Sequence, residues 1–179
     1  MVIQTERLLI RPYEKMDEAA VYNVINSKGI FLTTISIPYP YPREQVGIWL
    51  EFVRKNRLYQ RGYEYGIFTH EGIYIGNIGI VNIDSLHRNG EITYFIGENY
   101  WGKGYATEAT KAMLGFAFKT LELERIQGRC MKHNIASFRV MQKCYFQYEG
   151  LARHEVLKCG EYQDVYHTAI LKKDYFDNL

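Results

Sequence analysis

The sequence predicts a mixed α/β fold in which a sheet carries helices on both of its faces. Apolar residues recur with the helical period in several segments, and short runs rich in β-branched and aromatic residues lie between them. In chain order these segments are a strand, two helices, three strands, a helix, a strand, a helix and two strands. The 179 residues fit one domain with a sizeable core, which we expect to span residues 1–179.

All four prolines lie in the first quarter of the chain, where they mark element boundaries. An apolar run at 7–11 is predicted to be a strand that Pro12 stops. Helical spacing of apolar residues predicts a helix at 17–26. The segment IPYPYPRE is predicted to be an extended loop, and it leads into a second helix with Pro42 in or near its first turn. The apolar face of this second helix consists of Val46, Trp49, Leu50 and Val53.

The rest of the chain is free of proline and alternates between strands and helices. A long helix with a face of small and apolar residues is predicted after the third strand of this part, and a second helix is predicted after Asn134, a candidate N-cap. The predicted strands are 63–68, 74–81, 91–96, 125–131, 147–156 and 162–171.

Composition and charge exclude several classes of protein. A net charge of +2 without a basic run gives no reason to expect a nucleic-acid partner. Cys130, Cys144 and Cys159 are widely spaced, so they form neither a disulfide framework nor a metal site and favour a cytoplasmic protein. The first residues contain charges, unlike a signal peptide, and no stretch approaches the ~20 apolar residues of a membrane span.

The stretch NYWGKGYATEA places two glycines between a predicted strand and a predicted helix. Unpaired N–H groups and the helix dipole make such a helix start suitable for phosphate, and glycines allow the ligand to approach the backbone. The spacing matches neither a Walker A loop nor a complete dinucleotide fingerprint. Spacing alone leaves open that the glycines merely end a strand and cap a helix.

This stretch resembles the acyl-CoA pyrophosphate loop of the GNAT superfamily of N-acetyltransferases. The family pattern, Gln/Arg-x-x-Gly-x-Gly/Ala, falls here on Trp101, Gly104 and Ala106. A tryptophan at the first position is common in the branch that acetylates the N-terminal Ser or Ala of ribosomal proteins. Four further blocks resemble the same branch in the same order, namely TERLLIRP, LHRNGEITYFI, LELERIQGRC and the segment from NIASFRVMQKCYF onward.

The resemblance implies the GNAT acyl-CoA N-acyltransferase fold, a mixed and mostly antiparallel sheet of about seven strands that is splayed between the fourth and fifth. It implies acetyl-CoA as co-substrate, with no metal. Phe95 and Ile96 would pair with the amides of the pantetheine arm, and a backbone N–H near Ile96 would serve as the oxyanion donor. The residues expected to hold the pyrophosphate are Trp101, Gly102, Lys103, Gly104, Tyr105, Ala106 and Thr107, although a solvated loop lysine is the plainer interpretation of Lys103.

The resemblance also implies catalytic residues. Asn134 would bind the pantetheine or simply cap its helix, and Ser137 would lie near the cofactor sulfur. Many family members use a tyrosine as the general acid, but Met141 occupies that position here, so Ser137 is the candidate for the hydrogen bond to the leaving thiolate. Glu91 is the candidate base, directly or through water, or else a structural carboxylate that pairs with Arg88 or a backbone group.

Four further residues need separate comment. His87 and His133 are other candidates for the base, although surface loop positions suit them better. Tyr145 replaces a family glycine and is expected to alter the local turn, whereas Cys144 is expected in the core.

The acceptor is expected to be a primary amine that attacks acetyl-CoA directly in a ternary complex. Tyr39 and Tyr41 would form an aromatic wall with Trp49, although Trp49 also suits the core. An α-amine of a protein or peptide N-terminus is favoured because no strong base is evident. A polyamine or amino sugar is the alternative, and a non-catalytic acyl-CoA-binding module is a further one. A monomer and a homodimer are both compatible with the sequence.

Overall fold

A computed structural model gives the structure of residues 2–178. Within these residues, eight strands form one sheet in the order β1-β2-β3-β4-β5-β6-β8-β7. Of the strand pairs in this part of the chain, β5 with β6 is parallel and the others are antiparallel. The strands are β1 Ile3–Gln4, β2 Leu8–Arg11, β3 Tyr63–Thr69, β4 Tyr74–Asp84, β5 Asn89–Ile96, β6 Arg125–Met131, β7 Gln147–Lys158 and β8 Glu161–Leu171.

Six α-helices between residues 2 and 178 connect or cover these strands. The helices are α1 Glu18–Ile25, α2 Lys28–Thr33, α3 Glu44–Leu58, α4 Tyr105–Lys119, α5 Ile135–Lys143 and α6 Lys172–Asp177. Short 3-10 turns precede α1 and follow β5.

The sheet separates two hydrophobic clusters. Side chains alternate along a strand, so Ile96 of β5 joins the cluster formed with α4 and α5, whereas Phe95 joins the cluster formed with α1, α2 and α3. We call the face that bears Phe95 the acceptor face and the opposite one the α4 face. Helices on both faces confirm the predicted layers.

The long periodic elements confirm their predictions, and the shortest ones were missed. The strand β1 makes the sheet one strand larger than expected. The helix α2 has six residues, and its N-cap is Ser27, whose hydroxyl accepts a hydrogen bond from the N–H of Ile30. The terminal helix α6 also escaped prediction. All three are too short for periodicity to reveal them.

The sheet is splayed between β5 and β6. The two strands pair only at Asn89 with Arg125, Gly90 with Ile126 and Glu91 with Gln127. Beyond this third pair β5 continues to Ile96 and β6 to Met131 without pairing with each other. The gap leaves room for an extended ligand to lie between two strand edges, as the resemblance implied.

Candidate active site

A loop of free backbone N–H groups lies at the open end of the splay. Gly102 and Gly104 have φ of +74° and +82°, values that glycine adopts without strain. Gly104 is the N-cap of α4, a helix of 15 residues. Within residues 2–178 no protein group accepts a hydrogen bond from the N–H of any residue from 102 to 107. This concentration of unsatisfied donors at a helix N-terminus fits a diphosphate.

Two side chains of the loop are used to hold it together. The indole Nε1 of Trp101 donates to the carbonyl of Ile96 at 2.6 Å, which fixes the end of β5. The ammonium of Lys103 donates to the carbonyl of Asn99 at 3.0 Å and is exposed. Contact of Trp101 or Lys103 with the cofactor stays a prediction.

The start of α5 faces the splay. Asn134 is the N-cap of this helix, as predicted, because its side-chain oxygen accepts from the N–H of Ser137. Its amide nitrogen donates to the carbonyl of Thr33 at 2.8 Å and so ties α5 to α2. Both polar atoms of the Asn134 side chain therefore have protein partners, and its predicted bond to pantetheine remains untested.

Tyr94 is a functional candidate that the sequence analysis missed. Its hydroxyl lies 2.8 Å from the hydroxyl of Ser137 and 3.2 Å from the Ser137 carbonyl. Burial raises the pKa of Tyr94, and the bond with Ser137 only partly offsets that rise. The phenol therefore favours its protonated form and can donate to the hydroxyl or the carbonyl of Ser137. The available signal was the alternation along β5, which puts Tyr94 on the α4 face between Ile92 and Ile96.

The two departures from the family pattern, one on α5 and one just after it, have simple structural consequences. Met141 is buried, and the hydroxyl of Thr168 contacts its sulfur at 3.0 Å. Tyr145 has φ of +65°, the left-handed region that glycine occupies more easily. Cys144 lies in the core as expected, and burial raises its pKa to about 12.

The acceptor face carries a charged network at the closed end of the splay. Arg129 of β6 lies between two carboxylates, with its Nε 2.9 Å from Glu91 and its Nη1 2.8 Å from Glu155 of β7. His167 of β8 donates to the other oxygen of Glu155. Asn82 adds a bond of 3.3 Å to Glu91. Glu91 thus pairs with Arg129 and not with Arg88, the side chain named as its partner in the alternative structural role.

The charges in this network stabilise one another. Burial alone would raise the pKa of Glu155, but the bonds from His167 and Arg129 outweigh it and hold that pKa below its usual value. Burial opposes the charge on Arg129, yet the bonds to Glu91 and Glu155 raise its pKa. Arg88 instead bonds the carbonyl of Glu122. The pairing of Glu91 with a β6 side chain follows from the register of β5 with β6, which the sequence does not reveal.

A second polar group on the acceptor face lacks a cation. Glu64 of β3 extends over Gly79 and accepts a bond of 3.1 Å from the amide of Asn77. The hydroxyl of Tyr13 donates to the same amide at 2.7 Å. Burial raises the pKa of Glu64, and within residues 2–178 no basic side chain lies within 4.0 Å of it.

The predicted aromatic wall is divided between surface and interior. Tyr39 is 46% exposed and lies beside Phe31, with ring centroids 6.2 Å apart. Tyr41 and Trp49 are partly buried against the cluster on the acceptor face. The ammonium of Lys158, at the tip of the β7–β8 hairpin, lies 4.0 Å from the Phe31 ring centre. The hairpin therefore contacts the segment expected to receive the acceptor.

Other kinds of site find no support in the described part of the chain. Residues 2–178 contain no group of three or more side chains placed to bind a metal. None of their helices is long and apolar enough to cross a membrane.

The chain belongs to the GNAT family of acetyltransferases. Residues 7–147 match the family model described as an acetyltransferase (GNAT) domain. This assignment, the splay and the free N–H groups of the loop define an N-acetyltransferase that uses acetyl-CoA as co-substrate. The family and fold expected from the sequence are confirmed.

Curated relatives differ in what their names say of the acceptor. The "Uncharacterized N-acetyltransferase YnaD" of Bacillus subtilis is 34% identical over 98% of this chain and 99% of its own length. The "Putative ribosomal N-acetyltransferase YdaF" of Bacillus subtilis is 32% identical over 64% of this chain and 62% of its own. The spermidine N(1)-acetyltransferase of Escherichia coli is 24% identical over 93% of this chain and 87% of its own length.

Solved structures show the same fold. A GNAT acetyltransferase from Bacillus anthracis has a TM-score of 0.82 and 30% identity over 97% of this chain and 99% of its own. RimL, a ribosomal L7/L12 alpha-N-protein acetyltransferase in complex with coenzyme A, has a TM-score of 0.87 and 19% identity over 96% of this chain and 98% of its own. Spermidine N-acetyltransferase from Vibrio cholerae, in complex with CoA and spermine, has a TM-score of 0.85 and 24% identity over 96% of this chain and 99% of its own.

Proposed function

We propose that this enzyme acetylates the α-amine at the N-terminus of a protein or peptide, by direct attack on acetyl-CoA in a ternary complex. The observation that carries the proposal is that both carboxylates of the network on the acceptor face, Glu91 and Glu155, are already bound by side chains of the protein. Arg129 is bound to both Glu91 and Glu155, and His167 is bound to Glu155. A polyamine brings several ammonium groups and needs carboxylates without cations, whereas a peptide N-terminus brings one.

The chemistry of an α-amine suits this site. Its pKa of about 7.7–8.0 leaves roughly a tenth of it neutral at pH 7, so a weak or water-mediated base is enough. The neutral nitrogen attacks the thioester carbon, and its proton passes through water to the carboxylate of Glu91. A backbone N–H near Ile96 hydrogen-bonds the carbonyl oxygen as it gains charge. The carbon–sulfur bond then breaks, and Ser137 donates a hydrogen bond to the departing thiolate.

The position of each group supports this assignment of roles. Glu91 belongs to the last paired row of β5 and β6, directly before the strands separate. Ser137 lies in the first turn of α5, and its hydroxyl is within 2.8 Å of the Tyr94 hydroxyl from β5. The N–H groups of 102–107 lie at the other end of the splay. A molecule that extends from this loop along the splay would bring its thioester between Glu91 and Ser137.

A polyamine is the second candidate acceptor. Two observations favour it: spermidine acetyltransferases are among the relatives that span most of the chain, and Glu64 is a carboxylate without a cation on the acceptor face. In the predicted acceptor segment 30–60, however, the acidic residues are Glu44 and Glu51, and basic residues outnumber them. Glu51 is already bound by Arg54 on the surface of α3. The α-amine therefore remains the first candidate.

Release of free thiol from acetyl-CoA across a panel of amines tests the proposal. The panel contains peptides with N-terminal Ser or Ala, the same peptides with a blocked N-terminus, spermidine and an amino sugar. We expect the highest kcat/KM for the free peptides and none above background for the blocked ones. Turnover of spermidine or the amino sugar alone would overturn the α-amine proposal. Tight binding of acetyl-CoA without turnover of any amine would remove both candidates.

A further inference from the structure

Arg7 connects the N-terminal segment of the chain to the loop before α4. Its Nη1 donates to the carbonyl of Lys103 at 2.9 Å, and its guanidinium carbon lies 4.7 Å from the centre of the Tyr105 ring. Lys103 and Tyr105 flank Gly104, the residue with φ of +82°. One side chain therefore contacts the loop on both sides of its left-handed glycine.

Glu108 holds the Arg7 guanidinium in this position. Its carboxylate, in the first turn of α4, accepts bonds from the Nε of Arg7 at 2.7 Å and from the N–H of Arg7 at 2.9 Å. The hydroxyl of Thr5 donates to it at 2.6 Å. Burial alone would raise the pKa of Glu108, but these bonds outweigh it and lower that pKa. The guanidinium of Arg7 is thus held by the Lys103 carbonyl and by the Glu108 carboxylate, unlike that of a free surface arginine.

The loop needs such a brace. Glycines at positive φ leave the backbone more conformations to adopt than other residues would. A Cβ placed on Gly102 would meet nothing within 4 Å, and one on Gly104 would meet only the Nη2 of Arg7, at 3.5 Å. In the described part of the chain, Arg7 is therefore the residue that a side chain added at Gly104 would meet. Six N–H groups can converge on one diphosphate only if the backbone between them keeps its shape.

We propose that Arg7 is a positioning residue for acetyl-CoA, which fixes the shape of the diphosphate loop through the Lys103 carbonyl and Glu108. The proposal rests on the predicted diphosphate role of residues 102–107 and is independent of the acceptor. Its signature is a defect that depends on which part of the donor molecule is present. The defect appears with donors that contain the diphosphate and disappears with donors that lack it.

The test is the KM of Arg7→Ala for three donors, measured with whichever amine the enzyme turns over. The donors are acetyl-CoA, acetyl-dephospho-CoA, which lacks the 3′-phosphate, and S-acetylpantetheine, which lacks all phosphates. We expect KM to rise about 10- to 100-fold for the first two, by equal factors, and to stay unchanged for the third. We expect kcat to remain within about twofold for all three. Arg7→Lys should rescue little, because a single ammonium cannot bond the Lys103 carbonyl and Glu108 as a guanidinium does.

Two further variants keep the test decisive. Arg125→Ala removes an arginine of similar exposure that forms two hydrogen bonds with Glu149 of β7, away from the loop. This control should leave the KM values for all three donors unchanged. Glu108→Gln keeps an oxygen acceptor but removes the charge, and it should shift KM in the same direction as Arg7→Ala by a smaller factor. Thermal melting of each variant reports on the fold.

Three results would overturn the proposal. Equal rises for all three donors would mean that Arg7 supports the structure in general. A rise in KM for acetyl-CoA alone would mean that Arg7 binds the 3′-phosphate directly. Arg7 lines a cleft of about 370 Å³ together with Lys111 and Lys143, which is the structural basis for this competing role. Unchanged constants would mean that the loop keeps its shape without Arg7.

Discussion

The predicted donor side and the predicted acceptor side of this site are built in opposite ways. On the donor side, consecutive residues from 102 to 107 present backbone N–H groups at the start of one helix. On the acceptor face, the polar groups are side chains from four different strands. Glu91, Arg129, Glu155 and His167 meet only because β5, β6, β7 and β8 come together in one register.

This difference explains what each side reveals about function. Recognition by backbone requires glycines at defined positions, and that requirement is visible in the sequence. Recognition by side chains tolerates many residue types as long as their charges match, so it leaves no short motif. The donor can therefore be inferred from the sequence, whereas the acceptor must be argued from the charges on one face of the sheet.

Substitution of Gly104 should give the largest effect, because it acts on the backbone itself. Gly104→Val forces a β-branched residue to φ of +82° in the middle of the predicted cradle. Loss of two or more bonds to a charged diphosphate should weaken acetyl-CoA binding by about 10³-fold or more. Isothermal titration with acetyl-CoA measures the change.

Gly72→Val is the matched control. Gly72 has φ of +83° in the turn between β3 and β4, and a Cβ there meets nothing within 4 Å. It should carry a similar backbone strain and a similar fall in Tm, with normal acetyl-CoA affinity. Normal affinity in Gly104→Val would refute the assignment of the loop.

Removal of the proposed base should have the next largest effect. Glu91→Gln keeps the shape of the side chain but cannot receive a proton, so kcat should fall about 10²-fold at pH 7. The loss should shrink as pH rises above about 8, where the α-amine is already neutral. Steady-state kinetics between pH 6 and 9 measure it, with Glu149→Gln on the surface of β7 as the control. A kcat loss that is independent of pH would show that Glu91 acts only as the partner of Arg129.

Loss of the contact between Tyr94 and Ser137 should lower kcat less than loss of the proposed base does. Tyr94→Phe removes one hydrogen bond to the Ser137 hydroxyl, so we expect kcat to fall by about 3- to 10-fold with little change in KM. If the phenol acts by orienting that hydroxyl, Tyr94→Phe should cost nothing more once Ser137→Ala is present. Fully additive losses in the double variant would contradict a shared role.

Glu64 offers a test on the acceptor face that concerns stability. Its pKa is raised in the folded protein, so the charged form is disfavoured by folding and stability falls as pH rises from about 4.3 through the folded value. Glu64→Gln removes this cost and should raise Tm at pH 7, while at pH 4 the difference should vanish. Melting curves at the two pH values measure it. A Tm gain that is equal at both would contradict the burial of a charged carboxylate.

The same variant separates the two candidate acceptors. For a peptide acceptor, Glu64→Gln should leave KM unchanged. For a polyamine acceptor it should raise the KM of spermidine, because the carboxylate without a cation is lost.

Lys103→Ala should have the smallest effect, a change in the KM of acetyl-CoA below about twofold, since the Lys103 ammonium bonds the Asn99 carbonyl and is exposed. A larger change would give Lys103 a direct part in phosphate binding.

The sequence predicted the fold to the extent that its elements are long and periodic. The helices α3 and α4, with 15 residues each, show repeated apolar spacing, and β3 to β5 show clear runs. The helix α2 has only six residues and depends on the Ser27 cap and on contacts with α5. Elements this short are stabilised mainly by tertiary packing, which local sequence does not encode.

The site divides in the same way. The loop was predicted from its resemblance to the pyrophosphate loop of the GNAT superfamily, because the spacing of its glycines alone also fits a simple helix cap. Tyr94 was missed because a tyrosine in a strand is usually a core residue, and only the splay brings its hydroxyl to Ser137. The pairing of Glu91 with Arg129 was missed because it needs the parallel register of β5 with β6, across 38 residues of chain. Registers between distant strands are set by the whole fold.

One measurement tests the central claim most directly. A peptide with a free N-terminal Ser and an internal Lys is incubated with the enzyme and acetyl-CoA, and tandem mass spectrometry locates the acetyl group. We predict acetylation of the α-amine, with the Lys side chain unmodified. Acetylation of the Lys instead, or an unmodified peptide under conditions where spermidine is acetylated, would contradict the account.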